Sequence, residues 1–578
     1  MTDDACLETE QKNRRTIDRG STFAHPAGPP GWLRISAWCV AIIAGFLEIW
    51  ANRFFITPDG NNYLDVAGAY LRHDWASAVN AYWSPMFSWI LGAVIYVTHV
   101  PAYWEKPALH LINFVAFLVS LLAFEFFFRG LLKTYSFDDV HVESPAWWLI
   151  GYSLFLSTSL YVLNIAVPTP DVWLAAMTYL AAGIVVRIHN GEITHAIFAC
   201  LGAVLALGYL LKAFFFPLSF VILLAAWLAT GNLRKTVPQI LVATLVFSAL
   251  SGPFIFALSR STHRLTFGDT GRANYFMYTA PVLQGVFWQG ENNTGLPKHP
   301  TRELLKHPRL YEFGTPFNAS YPPYYAWSYW MEGAASRFYL RGQLVTLRQA
   351  AGTFYEIWEE QAIFSVGLLI LAFALAGWRL YLSSVAKLWY VWLPSLLACL
   401  AYSIVHTEQR LVAPFLLILW TAGFVAIPTS RLSGGRRVLW AVALAMCFLT
   451  CVRVAKSAVS EGLALRSSPA ARENVDWDVA EGLRAMGIRP DDKVAGIVIM
   501  GRAHWARLAG VKVVAEIPLG EELTFWTADS ELRRSVIDTF AGTGARAIIA
   551  EAPPLCADKT EWKQLPQTDY YVYQLDQR

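Results

Sequence analysis

Charge is what this chain is short of. Only 15% of its 578 residues are Asp, Glu, Lys or Arg, while 55% are hydrophobic; soluble domains carry about 25% charged residues. The scarcity is concentrated, and stretches such as Ala108–Phe128 and Leu388–Val405 hold almost no charge. That excludes a purely soluble protein, because apolar runs of roughly 18 residues or more read as membrane-spanning helices. Cysteine is sparse as well. The seven (Cys6, Cys39, Cys200, Cys399, Cys447, Cys451 and Cys556) fall mostly inside apolar segments, where free Cys behaves as a small hydrophobe. No disulfide framework and no CxxC zinc signature is present. A glycine-rich phosphate loop at a strand–helix junction is missing too, as is any clear internal repeat. The net charge of +3 says little about partners, and no nucleic acid is expected among them. The first thirty residues are polar and then proline-rich, which suits a cytoplasmic tail rather than a cleavable signal peptide.

What is there is a series of eleven candidate spans, at roughly 33–52, 107–128, 145–166, 172–188, 195–211, 213–230, 237–258, 362–379, 388–405, 411–427 and 438–455. With the N-terminus inside, the short cytoplasmic loops carry Arg129, Lys133, Arg187, Arg234, Lys235, Arg379, Lys387, Arg431, Arg436 and Arg437. The short outer loops carry only Lys212 and Arg410. Ten against two is a positive-inside bias. Counting Ser84–Val100 as a span would invert every later loop. It therefore reads as a helix at the outer interface, where Trp83, Trp89 and Tyr96 suit the depth. The expected organisation is a cytoplasmic tail (1–32), a membrane domain (33–455) with outer loops 53–106 and 259–361, and an extracytoplasmic region (456–578). The plasma (inner) membrane is the expected location.

The last region alternates. Helices near 473–487, His504–Leu508 and 529–540 are interleaved with β-branched runs at Val494–Met500, Val511–Ile517 and Ala545–Ala550, and a last strand is expected at Tyr570–Leu575. This predicts a small α/β domain. The fold class is thus a polytopic α-helical membrane protein with a small C-terminal α/β domain.

The first outer loop is the most informative segment. Asp59 follows the first span closely, and Pro58-Asp-Gly60 leads into a helix with Tyr63, Ala67 and Tyr70 on one face and Asn62, Asp65 and Arg72 on the other. On spacing alone, a helix cap or turn residue is the commoner use of an Asp such as Asp59, and Asp65 and Asp74 read as solvated or capping positions. The order Pro-Asp-Gly-x-x-Tyr-x-x-x-Ala-x-x-x-Leu-x-x-x-Asp-Trp resembles the first-loop motif of the GT-C superfamily of integral-membrane glycosyltransferases. The nearest branch is family 39, which includes protein O-mannosyltransferases and the lipid A aminoarabinose transferase. Asp59 matches the family's Asp; Gly60 stands where it usually has Glu. Tyr82-Trp-Ser-Pro-Met86 is similar to its His-Pro-Pro-Leu-type segment, with Ser84 in place of His. Pro168-Thr-Pro-Asp171 resembles its second acidic site, Lys212 a basic residue at an outer helix end, and His406-Thr-Glu-Gln-Arg410-Leu-Val-Ala-Pro414 its late Glu-x-Arg-Tyr-x-x-Pro segment. The likeness covers roughly 33–430 and leaves the C-terminal domain out.

The resemblance implies an inverting transfer from a polyprenyl-phosphate sugar. Such a reaction needs a base for the acceptor and cations for the departing phosphate. Asp59 is the candidate base, and Lys212 and Arg410 are the candidate phosphate ligands. Asp171 would orient the base, bind the acceptor or hold a metal. Tyr63, Tyr82, Trp83, His406 and Glu408 are candidate substrate contacts, with Glu48 in the first span ranked lower. Some GT-C members use a divalent cation, so a divalent metal ion is the one cofactor the resemblance allows, although Gly60 removes a ligand. The aromatic run 321–330 offers either a sugar platform or packing, and Arg260, Arg264 and Arg272 either a phosphate contact or solvated charge. Asn292 and Asn318 begin N-glycosylation patterns. The acceptor is left open between protein, lipid and glycan. Two other readings compete: a transporter or flippase, against which stand the missing repeat and the clustering of charges at one face, and a non-catalytic scaffold.

Overall fold

Lipid offers a backbone no hydrogen-bonding partner, so apolar segments in it fold as helices. In the computed structural model of this chain, residues 28–575 are described apart from 136–143, 281–284, 292–293, 315, 374–376, 428–434, 500 and 556. The N-terminal tail, Cys6, Cys556, Arg431 and Asn292 therefore lie outside the described residues. Six helices among those described are long and apolar enough to cross a membrane: Gly31–Ala51, Ala102–Thr134, Pro145–Leu163, Asp171–His189, Val237–Ser261 and Gly435–Ser467. Four more expected spans are shorter apolar helices, His195–Leu211, Phe215–Ala229, Ala362–Leu371 and Gln409–Val425, packed among them. The protein is a multi-pass membrane protein.

One span departs from the hydropathy reading at its end. The span placed at 362–379 has its α-helix only to Leu371, and Gly377 takes a left-handed φ of +66°. Trp378–Lys387 is then a separate amphipathic helix, bent by 86° from Trp389–Val405. Hydropathy averages over a window and cannot see a backbone turn at a single glycine such as Gly377. The Pro85–Thr98 helix, by contrast, has 14 residues. It is about 21 Å long, short of the ~30 Å hydrocarbon core, and Tyr96 and Val97 remain exposed on it.

Small residues set how closely the helices approach. A Cβ at Gly202 would lie 2.2 Å from the carbonyl oxygen of Ala243, so His195–Leu211 and Val237–Ser261 meet backbone to backbone there, as membrane helices do at small residues. Gly202→Ala is expected to destabilise by about 1–3 kcal/mol through overpacking. Gly352, whose added Cβ would meet nothing within 4 Å, is the control: Gly352→Ala should leave thermal unfolding of the detergent-solubilised protein unchanged or raised. Within the membrane helices the buried Glu125 carboxylate accepts from Arg34, Trp38 and Tyr152 at 2.7–3.2 Å, which offsets its desolvation.

The C-terminal elements fall where the alternation placed them: helices Val475–Ala485, His504–Ala509 and Ser530–Gly542, with strands β3 (Lys493–Ile497), β4 (Lys512–Ile517), β5 (Ala547–Glu551) and β7 (Tyr570–Gln574). A short β6 (Lys563–Gln564) edges the sheet. The sheet also takes β1 (Arg302–Lys306) and β2 (Arg309–Glu312) from the second outer loop, giving the order β1-β2-β4-β3-β5-β7-β6. The central β4-β3-β5 strands are parallel and the others antiparallel. Their side chains alternate faces. Ala495 and Ile497 pack on Phe525, Trp526 and Phe540, while Val494, Val513 and Ile549 join the large core continuous with the membrane helices.

Candidate active site

The first-loop helix, Pro58–Leu71, begins one short turn beyond the first span. Its cap is Thr57, whose hydroxyl accepts from the Gly60 N–H at 3.1 Å. Asp59 is thus released from capping, and it sits in the first turn, where the helix dipole favours an anion. Asp74 does cap the next short helix, accepting from Ser77 N at 3.2 Å. Asp65 is not solvated: it is buried, accepting from Ser320 and from Arg507 Nη1 at 3.0 Å. The helical wheel could not reveal this, because the partners come from the second outer loop and the C-terminal domain.

Arg410 ties the site together. It is the second residue of Gln409–Val425, and its Nη2 donates to Asp59 Oδ2 at 3.1 Å, its Nη1 to Asp171 Oδ2 at 3.2 Å, and its Nε to Glu408 Oε2 at 2.6 Å. Asp171 opens the Asp171–His189 helix and also accepts from Lys212 Nζ at 2.5 Å and Thr169 Oγ1 at 2.8 Å. Lys212 caps the C-terminal end of His195–Leu211 in an extended conformation. Three membrane helix ends and the first turn of the first-loop helix thereby deliver two cations and three carboxylates to one place. The Lys212 ammonium makes a single hydrogen bond there and keeps donors to spare.

Around this centre, His406 Nε2 lies 2.9 Å from Glu408 Oε1, and its ring stacks on Tyr278 at 3.7 Å. Burial pushes the Glu408 carboxyl up, but hydrogen bonds and charge from His406 and Arg410 outweigh it and hold the group well below the usual range. Tyr324 donates to Asp59 Oδ1 at 3.4 Å. Burial first, then the Asp59 carboxylate, push its hydroxyl up, so it stays protonated. Tyr82 is half-buried, bonded to Asn274 at 2.7 Å and stacked on Trp327. Tyr63 and Trp83 are buried, edge to face at 5.1 Å, beneath the site. Glu48 is buried apart from the cluster, in the last turn of the first span.

Tyr278 and Tyr324 were not singled out by sequence. Tyr324 lay within the aromatic run, but nothing local distinguished it from its neighbours. Tyr321, Tyr325, Trp327 and Trp330 of that run are buried, with Tyr321 bonded to Glu516 and Tyr325 to the Ser77 carbonyl, so most of the run is packing. Arg264 pairs with Asp269, and Arg272 donates to the Ala334 carbonyl at 3.0 Å.

The donor set does not suit a divalent metal. Among the described residues no three His, Cys, Asp or Glu side chains are placed to hold one metal ion, and the cation between Asp59 and Asp171 is the Arg410 guanidinium. Gly60 has a packing reason: a Cβ there would lie 3.1 Å from the Pro168 carbonyl oxygen and from side-chain carbons of Pro168 and Ile56. The residue leading into Asp171 thus occupies the space a glutamate would need.

No family model and no curated protein matches this chain. Solved structures do. ArnT from Cupriavidus metallidurans in the apo state aligns over 93% of this chain and 98% of its own, at 12% identity and a TM-score of 0.50. The same protein bound to undecaprenyl phosphate aligns over 94% and 97%, at 13% identity and 0.51. The Archaeoglobus fulgidus oligosaccharyltransferase in the apo form aligns over 89% of this chain and 69% of its own, at 12% identity and 0.50. What these proteins share with the chain is architecture: it has the GT-C fold, that of integral-membrane glycosyltransferases.

Proposed function

We propose that this protein is a membrane glycosyltransferase that moves a sugar from a polyprenyl-phosphate donor to an acceptor hydroxyl on the extracytoplasmic side, with inversion. The observation that carries the reading is the Arg410 bridge, which draws together Asp59, on the first-loop helix, and Asp171, at a membrane helix end, 351 and 239 residues from it in sequence. The GT-C fold supports it, as does the undecaprenyl phosphate bound by one neighbour of that fold. The positive-inside bias supports an extracytoplasmic site in the plasma membrane, with the C-terminal domain on the same side.

In this reading the Asp59 carboxylate accepts the acceptor's proton as its oxygen bonds to the anomeric carbon. The bond from that carbon to the phosphate oxygen breaks, and the growing phosphate charge is met by Lys212 and Arg410. Asp171 holds both cations in place. Tyr82, His406 and Glu408 contact substrate, and Tyr63 and Trp83 support them from below. A transporter would need charges along a path; here they are closed into one ion-paired cluster, which supports the enzyme. Lys212→Met is expected to weaken undecaprenyl phosphate binding roughly tenfold or more, the worth of one charge-assisted hydrogen bond. Titration of the purified protein checks this, and unchanged affinity would remove Lys212 from the donor site. The overall test compares cell-surface glycans and glycolipids in cells with the intact chain, without it, and with Asp59→Asn: one modification should be present in the first only.

A further inference from the structure

A large cleft lies behind the Asp59 turn. It has a volume of about 1230 Å³ and is walled by residues 51–52, 54–58 and Asn61, the outer end of the last long helix, and the C-terminal domain. Neither Asp59 nor Arg410 lines it. Gly501, on its rim, packs against Pro58 and Tyr324, and Tyr324 is the residue that donates to Asp59. The cleft and the ion-paired site are therefore separated by one loop and one side chain.

His504 makes the cleft chemically distinctive. Its side chain is 2% exposed, its Nδ1 lies 3.1 Å from Asn61 Oδ1, and its Nε2 has no hydrogen-bond partner. A relay fixes the tautomer. Asp65, held by Arg507, accepts from the Ser320 hydroxyl, Ser320 accepts from Asn61 Nδ2, and Asn61 Oδ1 must then accept from His504 Nδ1–H. Burial, with Lys106 and Arg507 nearby, keeps the imidazole neutral. Nε2 is thus a bare acceptor. The nearest carboxylate oxygen, on Glu105, is 4.0 Å away, and that carboxylate is committed to Arg507. A buried acceptor without a donor is costly, and a ligand O–H or N–H would satisfy it.

The charge of the lining narrows the ligand. Five carboxylates face two cations. Lys106 is already bonded to Asp476 and the Phe54 carbonyl, and Arg502 lies 3.6 Å from Glu551. Such a wall repels phosphate and accepts hydroxyl or amine donors. We infer that this cleft binds the acceptor as a neutral or amine-bearing, hydroxyl-rich saccharide, distinct from the phosphate-bearing donor. The acceptor role rests on the proposed transferase activity, whereas saccharide binding does not.

The test uses the purified full-length protein, with N-acetylchitotetraose and undecaprenyl phosphate as separate probes in binding titrations. The neutral tetrasaccharide should bind and survive Asp59→Asn. Ser460→Trp, which fills the cleft from an exposed helix position, should weaken it tenfold or more while undecaprenyl phosphate binding stays within twofold. His504→Phe, which removes the acceptor, should do the same; if it fails to fold, Ser460→Trp alone decides. No tetrasaccharide binding at millimolar concentration, binding indifferent to Ser460→Trp, or equal competition by a phosphorylated oligosaccharide would overturn the inference. Loss of transfer in Asp59→Asn with saccharide binding intact upholds both readings. Saccharide binding with unimpaired transfer in Asp59→Asn overturns the catalytic one alone.

Discussion

Asn in place of Asp59 is expected to lower sugar transfer by at least about 10²-fold, the lower end of what a positioned general base contributes. The amide keeps the shape and can still accept from Arg410 Nη2, which lies 3.1 Å from the carboxylate, but it cannot take a proton. Arg410 retains Asp171 and Glu408 as partners, so the loss of one charge leaves no buried cation unpaired. Thermal stability and undecaprenyl phosphate binding should therefore change little, and the defect should appear as a fall in turnover. A single-turnover assay with radiolabelled lipid-linked sugar separates the two. Wild-type turnover in Asp59→Asn would mean that another group takes the proton.

The largest structural effect is expected at Arg507. Its guanidinium donates to Glu105 Oε1 and Oε2 at 2.6 and 3.0 Å and to Asp65 Oδ1 at 3.0 Å. Those side chains are 16%, 12% and 5% exposed respectively for Arg507, Glu105 and Asp65. One C-terminal residue thus clasps the helix that carries Asp59 and the start of the second long membrane helix. Removing one member of a buried ionic network costs about 3–5 kcal/mol, because the remaining charges stay buried without compensation. Arg507→Met should lower the unfolding midpoint sharply. It should also reduce transfer, since the Asp59 helix loses its anchor. The triple variant Asp65→Asn, Glu105→Gln and Arg507→Gln leaves no orphaned charge and should recover much of the stability. If the single variant is as stable as the parent, the clasp is not what holds the domain down.

The helices of this protein are legible in its sequence because apolar length is a local property: a run such as that around Phe117 must be a helix in lipid whatever its neighbours do. The strands β3, β4, β5 and β7 were legible for the same kind of reason, β-branched runs alternating with helical periods. The hairpin β1–β2 was not, since Arg302–Glu312 is polar and short and becomes an edge of the sheet only where β4 is present to receive it. Asp59 was visible as a residue but not as a role: a Pro-Asp-Gly turn reads first as a cap, and only the Thr57 hydroxyl taking the capping bond frees it. Asp65 was misread outright, its solvated appearance on the wheel ending once Arg507, 442 residues away, is packed against it.

The amino-acid sequence alone determined that this chain lives in a membrane, which loops carry the positive charge, and that a small α/β unit follows the last span. These are set by the transfer free energy of consecutive residues and by local periodicity. Only the tertiary structure decided that Asp59, Asp171, Lys212 and Arg410 share one ionic cluster, that a guanidinium rather than a ring of carboxylates fills its centre, and that an imidazole with an unpartnered nitrogen is among the residues lining a large cleft. Charges so far apart along the chain meet only when helix packing fixes where each helix ends, and no window of neighbouring residues contains that information.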